Sequence, residues 1–147
     1  MLNKILIELY ERDLDKLRTE IESYSSEADI WKTVDGISNS AGNLCLHLCG
    51  NLQHFFGAVV GDSGYVRDRP AEFEKKNIAR DEMLATIDDT KTVVVETINK
   101  LTDEDFAKIY PIEVFGEPIT TGYFLTHLTT HFNYHLGQIN YHRRLLS

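Results

Sequence analysis

Proline is scarce: Pro70, Pro111 and Pro118 are the only three in 147 residues. All lie between long periodic segments. Proline removes a backbone donor and breaks helices, so those segments are free to be helical. Cysteine is scarcer still, and Cys45 and Cys49 alone cannot build a disulfide framework. Long apolar runs are absent. Stretches such as Phe55 to Gly61 fall far short of the roughly 20 residues that a spanning helix needs. Positive charge is in deficit: Lys and Arg number 15 against 23 Asp and Glu, for a net charge of -8. Such a surface repels phosphates, which argues against a nucleic-acid partner. Near the start, Lys4 is followed by Glu8, Glu11 and Asp13 before any long apolar core. No signal peptide is therefore expected, and a cytoplasmic location is. Internal repeats, low-complexity tracts, a glycine-rich phosphate loop, a nucleophile elbow and a paired-carboxylate motif are also missing.

What remains is a globular composition, 42% hydrophobic and 26% charged, expected to form one domain over residues 1–147. A chain of this length buries roughly two-thirds of its unfolded surface. Four long helices are expected. The first runs from about Leu2 to Tyr24, with Ile5, Leu6, Leu9, Leu14, Leu17 and Ile21 at helical spacing. Trp31 to Ser38 reads as a loop, with Trp31 a core anchor between the first two helices. The second helix starts at Asn39 or Ser40, a capping residue type, and reaches about Val60 on a stripe of Leu44, Leu48, Leu52, Phe55 and Val59. A long connection, Tyr65 to Ile78, carries the charged run Arg67, Asp68, Arg69. The third helix covers about Ala79 to Leu101, and Thr102 with Asp105 forms a capping motif for a short turn. Tyr110 to Pro118 alternates like a small hairpin or an extended loop. Thr120 or Thr121 then caps a fourth helix to about Leu146. Four such helices without a strand set imply an all-α four-helix bundle.

All six histidines fall on two of these helices: His47 and His54 on the second, and His127, His131, His135 and His142 on the fourth. On a wheel of about 100° per residue, His127, His131, His135, Gln138 and His142 share an arc of about 80°. Leu128, Phe132, Ile139 and Leu146 lie beside that arc, so the stripe borders the apolar face. His47, Asn51 and His54 share one edge of the apolar arc on the second helix. Two inward-edged histidine stripes can face each other. Histidines at i and i+4 sit about 6 Å apart at Cβ, and their rings can converge on one ion. His131 with His135, plus a partner from the second helix, fits that pattern. A lone histidine at a core edge is more often a hydrogen-bonded structural residue, a role that suits His54, His127 and His142. Spacing alone leaves ligand and structural roles both open for the pair. Cys45 and Cys49 lie about 160° to 200° around the helix from His47 and serve better as buried filler.

The segment His131-Phe-Asn-Tyr-His135-Leu-Gly-Gln138-Ile139 resembles the His-x-x-x-His-x-Gly-Gln-Ile pattern of the DinB/YfiT-like superfamily. Asn43-Leu-Cys-Leu-His47-Leu resembles that family's second-helix motif. The order of parts agrees over nearly the whole chain. The resemblance implies a four-helix bundle, up-down-down-up, with a long crossover between helices 2 and 3, often paired as a homodimer. It implies a divalent metal, nickel or zinc, held by three histidines, here His47, His131 and His135. It further implies a small-molecule substrate. Family members include transferases and an isomerase that use low-molecular-weight thiols, and a proposed metal-dependent hydrolase.

Six further residues are candidates for orienting a ligand ring or meeting substrate: Asn51, Gln138, His54, His127, Arg67 and Arg69. For Arg67 and Arg69 the alternatives are a solvated loop tied by local ion pairs and an anion-binding edge. Tyr134 and Tyr141 read as packing or dimer surface. Two functions remain in play. One is a metal-dependent enzyme whose ion has an open position for a thiol or water. The other is a non-catalytic dimeric bundle that binds metal or a small molecule.

Overall fold

The computed structural model describes residues 1–147. Helix α1 spans Leu2–Glu22, α2 Ala41–Leu52, α3 Arg69–Glu74, α4 Arg80–Asn99, α5 Asp103–Ala107 and α6 Thr121–Leu146. Helix α2 continues without a break as a π-helix over Gln53–Val60. Nothing in the residue pattern foretold that wider coil. The fold is all-α, and no helix is long and apolar enough to cross a membrane.

Helix starts follow capping chemistry. Ser40 Oγ accepts from the Asn43 amide at 3.1 Å, and Thr120 Oγ1 accepts from the Tyr123 amide at 3.1 Å. Thr102 and Asp105 form a reciprocal capping box at α5. Each such cap contributes about 1 kcal/mol. The stripes then set the packing. Helix α1 buries Leu6, Tyr10, Leu14, Leu17 and Ile21. Ile5, expected on the same stripe, is instead 47% exposed, because the buried row runs one position round from it. Helix α4 buries Met83, Ile87, Thr90, Val94 and Ile98. Helix α2 is buried almost all round, as an apolar helix must be.

Helix α1 packs on α4 and α6, and α2 with its π extension packs on the same two. Helices α1 and α2 therefore occupy opposite corners. The Lys91–Asp15 and Arg18–Asp88 ion pairs, at 2.8 Å and 3.6 Å, set α4 antiparallel to α1. Tyr10 Oη donates to the Leu125 carbonyl at 2.7 Å, and Tyr24 Oη meets His142 Nδ1 at 2.6 Å. Helix α6 thus runs parallel to α1. Phe55 touches Phe124, with ring centroids 5.0 Å apart, while Leu44 lies near Tyr141 and Leu145. Helices α2 and α6 are therefore antiparallel, which lets their histidine stripes meet.

The connections carry more structure than expected. Glu27–Trp31 forms a 3₁₀ turn that ends where the expected loop begins and packs on α2 and α6, with Trp31 against Gly42. The crossover is not plain loop: Asp68 caps α3, accepting from the Ala71 amide at 3.1 Å, and Pro70 sits in its first turn. Residues 110–118 take the extended-loop alternative and not the hairpin. A single bridge pairs Ile109 with Thr120, and Tyr110 Oη ties the loop to the π segment by donating to the Phe55 carbonyl at 2.6 Å.

Candidate metal centre

Helix α2 supplies His47, 5% exposed. One turn earlier, Asn43 docks the crossover. Its Nδ2 donates to the Glu72 and Lys75 carbonyls at 2.9 Å and 2.8 Å, and Ser40 Oγ holds its Oδ1 at 2.8 Å. These bonds satisfy carbonyls at the end of α3. They also bring the Glu72 side chain onto His47, with Oε1 3.0 Å from Nδ1. Gly50 makes the space, since a Cβ there would collide with the Glu72 carboxylate.

Glu72 is 6% exposed and needs its charge matched. Arg67 supplies a two-point fork, Nε to Oε2 and Nη2 to Oε1, both 2.9 Å. Burial alone would raise the Glu72 pKa. Hydrogen bonds from His47 and Arg67 outweigh it and hold the group below its ordinary value. Glu72 is thus a carboxylate that accepts the Nδ1 proton of His47. Arg67 Nη2 also lies 3.3 Å from that nitrogen, but it cannot donate to an N–H, so the approach is a contact only. Arg67 is therefore neither solvated nor free to bind an outside anion. Arg69 is exposed, and its guanidinium lies 5.4 Å from the Phe73 ring centroid.

Helix α6 supplies His131 and His135 at i and i+4. One ring nitrogen from each of His47, His131 and His135 lies within 4.8 Å of the other two. His47 Nε2 and His131 Nε2 are 3.1 Å apart. His135 Nδ1 is 2.7 Å from Gln138 Oε1, so it carries the proton and leaves Nε2 bare. His47 Nε2 is bare for the same reason. Removal from water, with His135 and His47 nearby, lowers the His131 pKa to about 4. Burial also lowers that of His135, against the opposing bond to Gln138. His131 and His135 are therefore neutral near pH 7, the form that binds metals.

This donor set fits a cation. His47 Nε2 lies against His131 Nε2, and His131 Nδ1 is buried with no partner. With its rings neutral, as metal binding requires, the cluster has more acceptors than donors whichever nitrogen of His131 holds its proton. Nitrogens about 3.3 Å apart suit a tetrahedral ion with bonds of about 2.0–2.1 Å. Glu72 gives His47 the carboxylate–histidine arrangement typical of metal sites.

The lowered pKa has a measurable consequence without metal. His131 titrates at about 4 when folded and about 6.5 when unfolded. The unfolded chain binds the proton first on acidification. Stability from this residue is therefore full above about pH 6.5 and lost as pH falls toward 4. Urea unfolding of chelator-treated protein at pH 7, 5.5 and 4.5 should show this loss, and His131→Gln should flatten it. An equal slope in the variant would contradict the assignment.

The other histidines stand apart. His142 Nε2 donates to the Lys32 carbonyl at 2.8 Å, so its Nδ1 accepts from Tyr24 Oη at 2.6 Å. Both ring nitrogens are thus occupied in a structural role. Tyr24→Phe should cost about 1–3 kcal/mol in urea unfolding by stranding Nδ1, and no change would contradict that role. His127 packs between Phe115 and Phe124. His54 packs on Phe55, and burial and then Arg67 lower its pKa. Asn51 is buried one turn from His47 with Oδ1 unpartnered. Cys45 and Cys49 are buried and free; their mutual hydrogen bond and burial push the Cys45 thiol well up, away from thiolate.

Sequence reasoning missed Glu72. The available signal was a carboxylate five residues after Arg67, inside a segment that Asp68 and Pro70 mark as a capped turn.

No curated protein matches the chain. It is similar to the crystal structure of a DinB-like protein from Bacillus cereus ATCC 10987. The TM-score is 0.73 at 17% identity, covering 95% of this chain and 89% of that one. That likeness shows a DinB-like fold, which together with the three-histidine group fits a metal-binding helical protein. Over residues 6–147 the chain matches, and so belongs to, the family described as protein of unknown function DUF1572.

Proposed function

We propose that the chain is a divalent-metal-dependent enzyme of thiol S-transferase or hydrolase type, with His47, His131 and His135 holding one ion. The observation that carries this reading is the convergence of three imidazoles from two helices within 4.8 Å. Imidazole donors suit nickel or zinc. A bound ion of this kind supplies Lewis acidity and lowers the pKa of a thiol or water at its open position.

The chain's own groups do the holding. Glu72 keeps the His47 proton on Nδ1 and so aims Nε2 inward. Gln138 does the same for His135. Arg67 is committed to Glu72, which keeps that carboxylate charged. None of these is free to act as a general base, which suits activation by the ion itself. A low-molecular-weight thiol as co-substrate and pairing into a homodimer belong to the same proposal.

The test is protein purified without an affinity tag. It should carry about one nickel or zinc per chain and conjugate at least one low-molecular-weight thiol, or hydrolyse an ester, only when loaded. A full complement of metal without turnover across thiol and ester panels would leave a non-catalytic metal-binding bundle. Absence of bound metal would remove both readings.

A further inference from the structure

Beside the three histidines, a groove of about 770 Å³ opens between the C-terminal half of α6 and residues 34–39. Its size is in the range of small-molecule sites, about 300–1,000 Å³. Val34, Ile37, Tyr134, Tyr141 and Leu145 line it and are between 43% and 67% exposed. No Asp, Glu, Lys or Arg lines it, although 26% of the chain is charged. The contrast with the opposite flank of α6 is sharp. The cleft there, between α1 and α6, is lined by Arg12, Asp15, Lys16 and Glu20.

The groove joins the histidine group through two residues. His135 and Gln138 belong to its wall, and Gln138 Oε1 is the acceptor for His135 Nδ1. The Gln138 amide N–H groups remain free to donate. Ser38 and Asn39 add hydrogen-bonding capacity at the other side. A charged ligand entering here would lose hydration and find no counter-charge. An anion would also oppose the net charge of -8.

We propose that this groove binds a neutral, largely apolar small molecule, aromatic or short aliphatic with one or two hydrogen-bonding groups, and holds it against His135. That this molecule is a substrate rests on the metal-centre reading above; the binding site itself does not.

The probes are 1,3-dinitrobenzene and 3,5-dinitrobenzoate, the same ring without and with a charge. Each is titrated into isotope-labelled full-length chain while the backbone amides of Ile37, Gly137 and Gln138 are followed by NMR. The neutral probe should shift these amides saturably, and the carboxylate should bind about tenfold more weakly or worse. Leu145→Glu and Ile37→Glu alter exposed positions. They should weaken the neutral probe about fivefold or more while zinc uptake is unchanged. His131 does not line the groove, so His131→Ala should lose zinc yet keep the probe. Equal affinity for the two probes, or no saturable shift at these amides, would overturn the proposal. So would a dimer that Leu145→Glu dissociates and that the probe cannot enter, since a second copy would then be the occupant. Probe binding by wild-type chain that takes up no metal would keep the groove and overturn the metal-centre reading alone.

Discussion

Replacing His131 or His135 by alanine is expected to lower affinity for zinc or nickel by about two orders of magnitude or more. Structural zinc sites bind with about 10–16 kcal/mol spread over four ligands. Loss of one ligand therefore removes several kcal/mol, and each 1.4 kcal/mol is about tenfold. Competition with a chromophoric chelator reads this directly. Folding should survive, because both rings are only half-buried and neither belongs to the apolar core. Circular dichroism of the variants should therefore keep the helical signal. His54→Ala and His127→Ala should leave affinity unchanged, since neither ring joins the group. Equal loss in all four variants would contradict a site built on His47, His131 and His135.

Replacing Glu72 by alanine should have the largest effect on stability, about 3–5 kcal/mol in urea unfolding. The cost comes from the partner left behind: the Arg67 side chain is only 12% exposed and would lose both oxygens of its fork. Metal affinity should fall by about 10–100-fold in the same variant, because His47 loses the acceptor that fixes its proton. Glu72→Gln separates the two effects. It keeps the shape and one acceptor but removes the charge, so stability should recover in part while metal affinity stays reduced. Gly50→Ala attacks the same contact from the other side by pushing the carboxylate off His47. A Glu72→Ala protein with normal stability and normal affinity would contradict the role given to this network.

The sequence reveals what repeats along one helix and hides what a crossover brings in. The stripes of α1 and α4 follow from apolar residues at three- and four-residue spacing, and Ser40, Thr102 and Thr120 mark the helix starts they cap. His131 and His135 are legible because their contact is local, a single turn apart. Their meeting with His47 needs α2 and α6 antiparallel at matching height, which periodicity alone does not specify. Only the family resemblance singled out His47. Glu72 lay beyond both sources. It reaches His47 from a short helix 25 residues away, and a carboxylate in a charged run looks solvated until Asn43 docks that run. The π-helix over Gln53–Val60 likewise has no local marker, since its residues would suit an ordinary α-helix.

The most direct test of the centre is metal-edge X-ray absorption on tag-free protein loaded with one equivalent of zinc or nickel. The prediction is a single environment with three imidazole nitrogens and an exchangeable oxygen as fourth donor, reduced to two imidazoles in His135→Ala. A spectrum with fewer than three imidazoles, or one unaltered by that substitution, would contradict it.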